Sequence, residues 1–161
     1  MTESNRGTPP PCCLRELFGQ IASWARDRGE NGRVQPAVET FYERVGGHPT
    51  FRRLMADFFS RVREQPELAA MYPADDWEGA ENRLLMFFEQ YWGGPMAYSG
   101  TRGAPMLKMR HMPFKVTERM AGVWADCMNL SIASLDLDEV DDFLMRDYVE
   151  RACRYLINAD E

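Results

Sequence analysis

Two stretches decide how this chain is read: Arg83-Leu-Leu-Met-Phe-Phe-Glu-Gln-Tyr-Trp-Gly-Gly94 and Leu107-Lys-Met-Arg-His-Met-Pro-Phe114. The first is the end of a helix expected over 76–92. Its apolar residues, Trp77, Ala80, Leu84, Leu85, Phe87, Phe88, Tyr91 and Trp92, cover more than half of the helix surface. A surface helix needs a narrower stripe, so this one is buried against protein on one side and against something large and apolar on the other. Gly93-Gly94-Pro95 breaks it. The second stretch places His111 near the end of a short helix, 105–112, between Met109, Met112 and Phe114, and Pro113 closes that helix.

Working outward, Asp75-Asp-Trp-Glu78 matches a D-x-x-E capping pattern that opens the central helix. Before it, Pro66 starts a short helix through Tyr72, which Pro73 ends. Phe51, Leu54, Met55, Phe58, Phe59 and Val62 form a continuous apolar stripe on a helix over 49–63, with His48 as N-cap and Pro49 in the first position. A short helix, Ala37–Val45, stops at Gly46-Gly47, which permit a sharp reversal. Beyond the central helix, Met96–Ala104 reads as an irregular loop. Val116, Met120, Val123, Trp124, Cys127 and Met128 mark a helix over 116–134. Val140, Phe143, Leu144, Tyr148, Ala152, Tyr155 and Leu156 mark another over 137–157, and that stripe is assigned to the core. No stretch alternates with period two, so the fold is expected to be all-α. Residues 1–37 form an extension with an amphipathic helix over 13–27, which packs on the main domain or docks on a partner or membrane surface. The main domain is 38–161.

At 161 residues the chain is long enough for one substantial core. With 45% apolar and 27% charged residues it is globular, not disordered. A net charge of −6 and a pI near 5.0 argue against a nucleic-acid surface. Lys108 and Arg110 form a small basic cluster suited to one or two carboxylates. No apolar run approaches the roughly 18 residues of a membrane span, and the N-terminus lacks a secretory h-region. Cys12, Cys13, Cys127 and Cys153 show no zinc spacing, and the last two sit in apolar helical contexts as buried thiols. These features fit a reducing cytoplasm.

No Ser/His/Asp order, phosphate loop or paired Glu-x-x-His motif is present. Asp75/Asp76 and Asp141/Asp142 lie at helix N-termini, where negative charge is stabilising. His48 is expected to face solvent. His111 is either a structural histidine among apolar neighbours or an axial ligand. The surplus of aromatic and methionine surface around it favours the second, because a single neutral imidazole holds a haem iron while one face stays open.

The series Phe41-Tyr-Glu-Arg-Val-Gly-Gly47, Met71-Tyr-Pro-Ala-Asp-Asp76, Arg83…Trp92-Gly-Gly-Pro95 and Met109-Arg-His-Met-Pro-Phe114 resembles the group II truncated haemoglobins, over roughly residues 38–158. Trp124, thirteen residues after the histidine, completes the pattern. The resemblance implies a 2-over-2 helical sandwich around haem b, with His111 as the proximal iron ligand. Arg110 and Lys108 would pair with the haem propionates. Phe88 and Phe114 would contact the cofactor, and Ala80 and Leu84 would line its distal face. Tyr72 would offer a hydroxyl and Trp124 an indole N–H to a bound dioxygen, nitric oxide or carbon monoxide. Many relatives place a tyrosine over the iron where this chain has Phe59, which removes one donor. The implied functions are ligand binding, redox detoxification of reactive oxygen or nitrogen species, or sensing. The alternative, from another class, is a haem-free or haem-responsive interaction module in which residues 1–37 engage a partner. Peroxidase-like and nitric oxide dioxygenase-like turnover are both compatible, and so is a homodimer. Turnover requires electrons from a partner reductase, since no flavin or nicotinamide motif is present.

Overall fold

The computed structural model describes residues 38–160; the expected helix over 13–27 and the other features of the extension lie outside the described residues. Thr40 opens the helical domain. Its hydroxyl accepts from the Glu43 N–H at 3.2 Å while the Glu43 carboxylate accepts from the Thr40 N–H at 2.9 Å, a reciprocal capping box. That cap starts α1 at Phe41–Arg44, later than the expected Ala37. The chain then turns through Gly46 and Gly47, whose φ angles of 100° and 64° lie in the left-handed region. Gly47, and not His48, is the N-cap of α2 (His48–Arg63). His48 begins that helix, and its Nδ1 lies 2.7 Å from Glu89 Oε1, which ties the half-exposed ring to a buried carboxylate.

The α2 stripe is the centre of the core: Phe51, Leu54, Met55, Phe58, Phe59 and Val62 are all buried. After α3 (Pro66–Ala69), helix α4 runs from Trp77 to Tyr91. The expected D-x-x-E box does not form. Asp76 is the N-cap, but its carboxylate accepts from Arg83 Nη1 at 2.7 Å instead of capping. At the far end of α4, Gly94 donates to the Glu89 carbonyl at 2.8 Å. A Cβ at Gly94 would stand 2.8 Å from that carbonyl and from the Tyr42 ring, so only glycine fits this approach to α1.

Met96–Ala104 is not the expected irregular loop. It contains α5, Ala97–Arg102, with Tyr98 buried. The amide of Gln90 makes this helix possible: its Oε1 accepts from the Ser99 N–H at 2.8 Å and its Nε2 donates to the Ser99 hydroxyl at 2.7 Å. A helix of this length cannot persist on propensity alone, so the long-range clasp supplies what the glycines remove. Helix α6 follows at Leu107–His111, entered through Met106 in the left-handed region (φ 45°).

Helix α7 (Glu118–Ala133) is capped by the Thr117 hydroxyl, and α8 (Glu139–Leu156) by the Asp138 carboxylate. No strand occurs among the described residues. Helices α2 and α4 form one pair and α7 and α8 the other, with α2 against α7 joining the layers. This is the 2-over-2 sandwich.

Helix α8 is rotated relative to its apolar stripe. Val140 and Phe143 are about two-thirds exposed, while Asp141, Met145, Tyr148 and Val149 face inward. The cause is electrostatic. Arg44 on α1 forks onto Asp141, with Nη2 2.6 Å and Nε 3.1 Å from its oxygens. Asp141 is 2% exposed, and the guanidinium holds its carboxyl below the usual carboxylate range. Arg44→Ala strands that carboxylate and is expected to cost about 1–3 kcal/mol at neutral pH. A folded pKa below the unfolded value gives stability that is present above roughly pH 4 and lost as pH falls through the folded value. Urea unfolding of wild type and Arg44→Ala at pH 7, 4 and 3 should therefore show a difference that shrinks with acid. An unchanging gap would rule the ion pair out as its source.

Candidate functional site: an apolar cavity with one imidazole

Five residues of α4, Ala80, Arg83, Leu84, Phe87 and Phe88, fall at helical offsets on one face and line a cavity of about 580 Å³. That volume lies within the range of small-molecule and cofactor sites. Phe59 and Leu68 continue the wall, joined by Met120, Ala121 and Trp124 of α7 and by Tyr148, Val149 and Ala152 of α8. The second, apolar contact that α4 demands is thus this space.

His111 and Phe114 enter from α6 and the turn after it. The geometry of His111 fixes its chemistry. Nδ1 lies 2.7 Å from the Leu107 carbonyl, which can only accept, so Nδ1 carries a proton and donates it. In the neutral ring, Nε2 is then an unprotonated donor atom for a metal. Asn158, beyond α8, holds the segment that follows. Its Nδ2 donates to the carbonyls of His111 and Phe114, both at 3.1 Å, and its Oδ1 accepts from the Val116 N–H at 3.0 Å. No local pattern in the sequence marks Asn158, because its partners lie more than forty residues away.

A polar pair stands in the aromatic part of the wall. Trp124 Nε1 donates to Tyr72 Oη at 3.1 Å. Tyr72 stacks on Trp77 with ring centroids 5.4 Å apart and meets the Phe59 ring edge-on at 5.5 Å. Burial pushes the Tyr72 phenol up to about 12, so it stays protonated. Its oxygen accepts from the indole, and its own proton has no acceptor among the described residues.

The expected site residues Phe59, Tyr72, Ala80, Leu84, Phe88, Arg110, His111, Phe114 and Trp124 all line the one cavity; Lys108 does not. Its Nζ lies 5.1 Å from the centroid of the Tyr155 ring. Arg110 is largely committed to backbone, donating from Nε to the Pro105 carbonyl and from Nη2 to the Arg102 carbonyl, both at 2.8 Å, with no hydrogen bond from Nη1 among the described residues. The cation that sequence reading missed is Arg102. It is exposed, lines the cavity, and its guanidinium has no partner among the described residues. Its sequence context of small and glycine residues gave no signal. The cavity also contains Tyr148, whose phenol is raised by burial, and Cys153, whose thiol burial pushes up to about 12. Cys127 is buried as expected, while Cys153 keeps partial exposure.

The residues fit a flat, apolar group that carries carboxylates and a metal. The walls are apolar, one imidazole nitrogen is held free, and a free guanidinium stands beside the cavity. The family model of bacterial-like globins matches residues 40–154. The group 2 truncated hemoglobin YjbI of Bacillus subtilis is 34% identical over 121 residues, covering 74% of this chain and 89% of that protein. Among solved structures, the thermostable hemoglobin of the actinobacterium Thermobifida fusca superposes with a TM-score of 0.73 at 39% identity, over 74% of this chain and 98% of that one. The truncated oxygen-avid haemoglobin of Bacillus subtilis gives 0.70 at 29%, over 74% and 100%. The chain belongs to the bacterial-like globins and, within them, to the group II truncated haemoglobins.

The Tyr72–Trp124 bond is testable without any ligand. Tyr72→Phe leaves a partly buried indole N–H unpaired and is expected to cost about 1 kcal/mol. In a double-mutant cycle with Trp124→Phe, followed by urea unfolding, the double variant should lose less than the sum of the singles by roughly 0.5–3 kcal/mol. Strict additivity would mean that the two groups are not bonded.

Proposed function

We propose that the chain is a haem b protein in which His111 Nε2 holds the iron, that it binds dioxygen or nitric oxide, and that with electrons from a partner it removes reactive oxygen or nitrogen species in the cytoplasm. One observation carries the reading: the His111 tautomer, fixed by the Leu107 carbonyl, in the wall of an apolar cavity shared with the Tyr72–Trp124 pair. When bound, haem supplies an iron with one face open to a diatomic ligand.

The chain's own residues do the rest. The carbonyl at Nδ1 raises the basicity of the imidazole and fixes its orientation. Arg102 and Nη1 of Arg110 suit the two propionates, a charge-assisted pairing. Leu84, Phe87, Phe88 and Phe114 exclude water from the faces of the group. Tyr72 is the donor for ligand oxygen that carries partial negative charge, and Trp124 orients it by donating to the phenol oxygen. Phe59 contributes none, so the donor set rests on one phenol. Tyr72 directs its uncommitted proton to the ligand while its oxygen remains bonded to Trp124. The oxygen-avid character named for the Bacillus subtilis relative is consistent with donors of this kind.

Optical spectra of the purified protein, ferric and reduced, with and without carbon monoxide, test the reading. Wild type should show a histidine-ligated carbon monoxide complex that His111→Ala lacks; the same spectrum from both proteins would remove His111 from the iron. Stopped-flow measurement of dioxygen release then tests the donors. A neutral hydrogen bond worth about 0.5–1.5 kcal/mol changes release by up to roughly tenfold. Tyr72→Phe should speed release and Phe59→Tyr should slow it. Because Tyr72 stays protonated until about pH 12, its contribution should be flat between roughly pH 6 and 9.

A further inference from the structure

Residues 100–117 contain four cations, Arg102, Lys108, Arg110 and Lys115, and no carboxylate, in a chain with 25 acidic and 19 basic residues. Among the described residues none of the four is paired with a carboxylate. Arg110 holds backbone carbonyls, Lys108 lies over a ring, and Arg102 and Lys115 have no partner. The same segment exposes apolar surface: Met109 is 58% exposed, Met112 72% and Phe114 44%. Arg102, Arg110, His111 and Phe114 also line the cavity, so this surface borders the edge of the site.

We propose that this methionine and cation surface docks an acidic one-electron donor protein, bringing the donor's electron-carrying edge to the haem site. The proposal rests on the haem reading above. Charge complementarity selects the occupant, because a cationic patch on a chain of net charge −6 attracts an acidic body to this face and repels it from the others. Exposed methionines re-pack against varied surfaces, which suits a transient complex. A membrane is a poor match, since α6 has five residues and cannot present the long amphipathic face that lies on a bilayer. In the step itself one electron leaves the reduced donor and the iron falls from the +3 to the +2 state. No bond to the protein forms or breaks, and no proton moves.

The test uses the full chain loaded with haem in the ferric state, with photoreduced flavodoxin as the acidic probe and photoreduced riboflavin as a small control. The flavodoxin rate constant should fall steeply as ionic strength rises from about 0.01 M to 1 M, over which the screening length drops from about 30 Å to 3 Å. Met112→Glu combined with Lys115→Glu, neither of which lines the cavity, should slow flavodoxin about tenfold at low salt and leave riboflavin unchanged. A flavodoxin rate that ignores both salt and the double variant overturns the proposal. So does wild type that sediments with vesicles of anionic lipid while the double variant stays free, which would assign the surface to lipid. A dimer in analytical ultracentrifugation that the double variant dissociates would assign it to a second copy and likewise overturns it. Failure of the haem reading is distinguishable, because a chain that takes up no haem fails before any donor is added.

Discussion

The structure depends on one constraint: helix α4 is apolar on more of its circumference than a single protein contact can cover. Trp77 and Leu85 pack into the core alongside α2, and Trp77 meets Phe59 and Tyr72. The face made by Ala80, Leu84, Phe87 and Phe88 lines the cavity, and at its margins Phe87 meets Tyr98 and Phe88 meets Tyr148. The apolar surface that still faces the cavity opposes folding by about 25 cal/mol per Å² relative to burial. A ligand that covers it and binds only the folded chain therefore stabilises the fold by mass action. Site and stability are coupled through one helix.

Much of the fold was legible from periodicity and from the glycine and proline breaks, whereas the expected caps at His48 and over 75–78 did not form. The α2 stripe appears as read, and so do both helix breaks at glycine pairs. What was not legible came from partners far away in the chain. Helix α5 looked like a loop because Gly100 interrupts it and Gly103 and Pro105 follow it, and the Gln90–Ser99 clasp that folds it has no local signature. Helix α8 looked as if Val140 and Phe143 faced the core, yet Asp141 is the residue that turns inward. Hydrophobic pattern alone cannot anticipate that, because the ion pair with Arg44 reverses the cost of burying a carboxylate.

The site was more legible than the rotation of α8, for a physical reason. An imidazole in a chain with two histidines, next to excess aromatic surface, leaves few readings open. Nine of the expected lining residues converge on one cavity. The cations beside the cavity were harder to place. Lys108 and Arg110 are neighbours of the histidine in sequence, but a helical turn sends adjacent residues in different directions. Lys108 lies over Tyr155, Arg110 is bound to carbonyls, and Arg102 from the preceding helix lines the cavity with no partner for its guanidinium among the described residues.

That commitment of Arg110 explains how one short segment serves two surfaces. A five-residue helix entered through a left-handed methionine has little stability of its own. Arg110 knits its N-terminal side to the end of α5, and Asn158 knits its C-terminal side to the chain beyond α8. Held at both ends by bonds to backbone, the segment needs little apolar anchoring beyond Leu107, which packs against the core. Its methionines are then free to stay in solvent while His111 stays fixed toward the cavity. A helix of this length secured by packing alone would have had to bury Met109 and Met112, and the exposed cationic face would not exist.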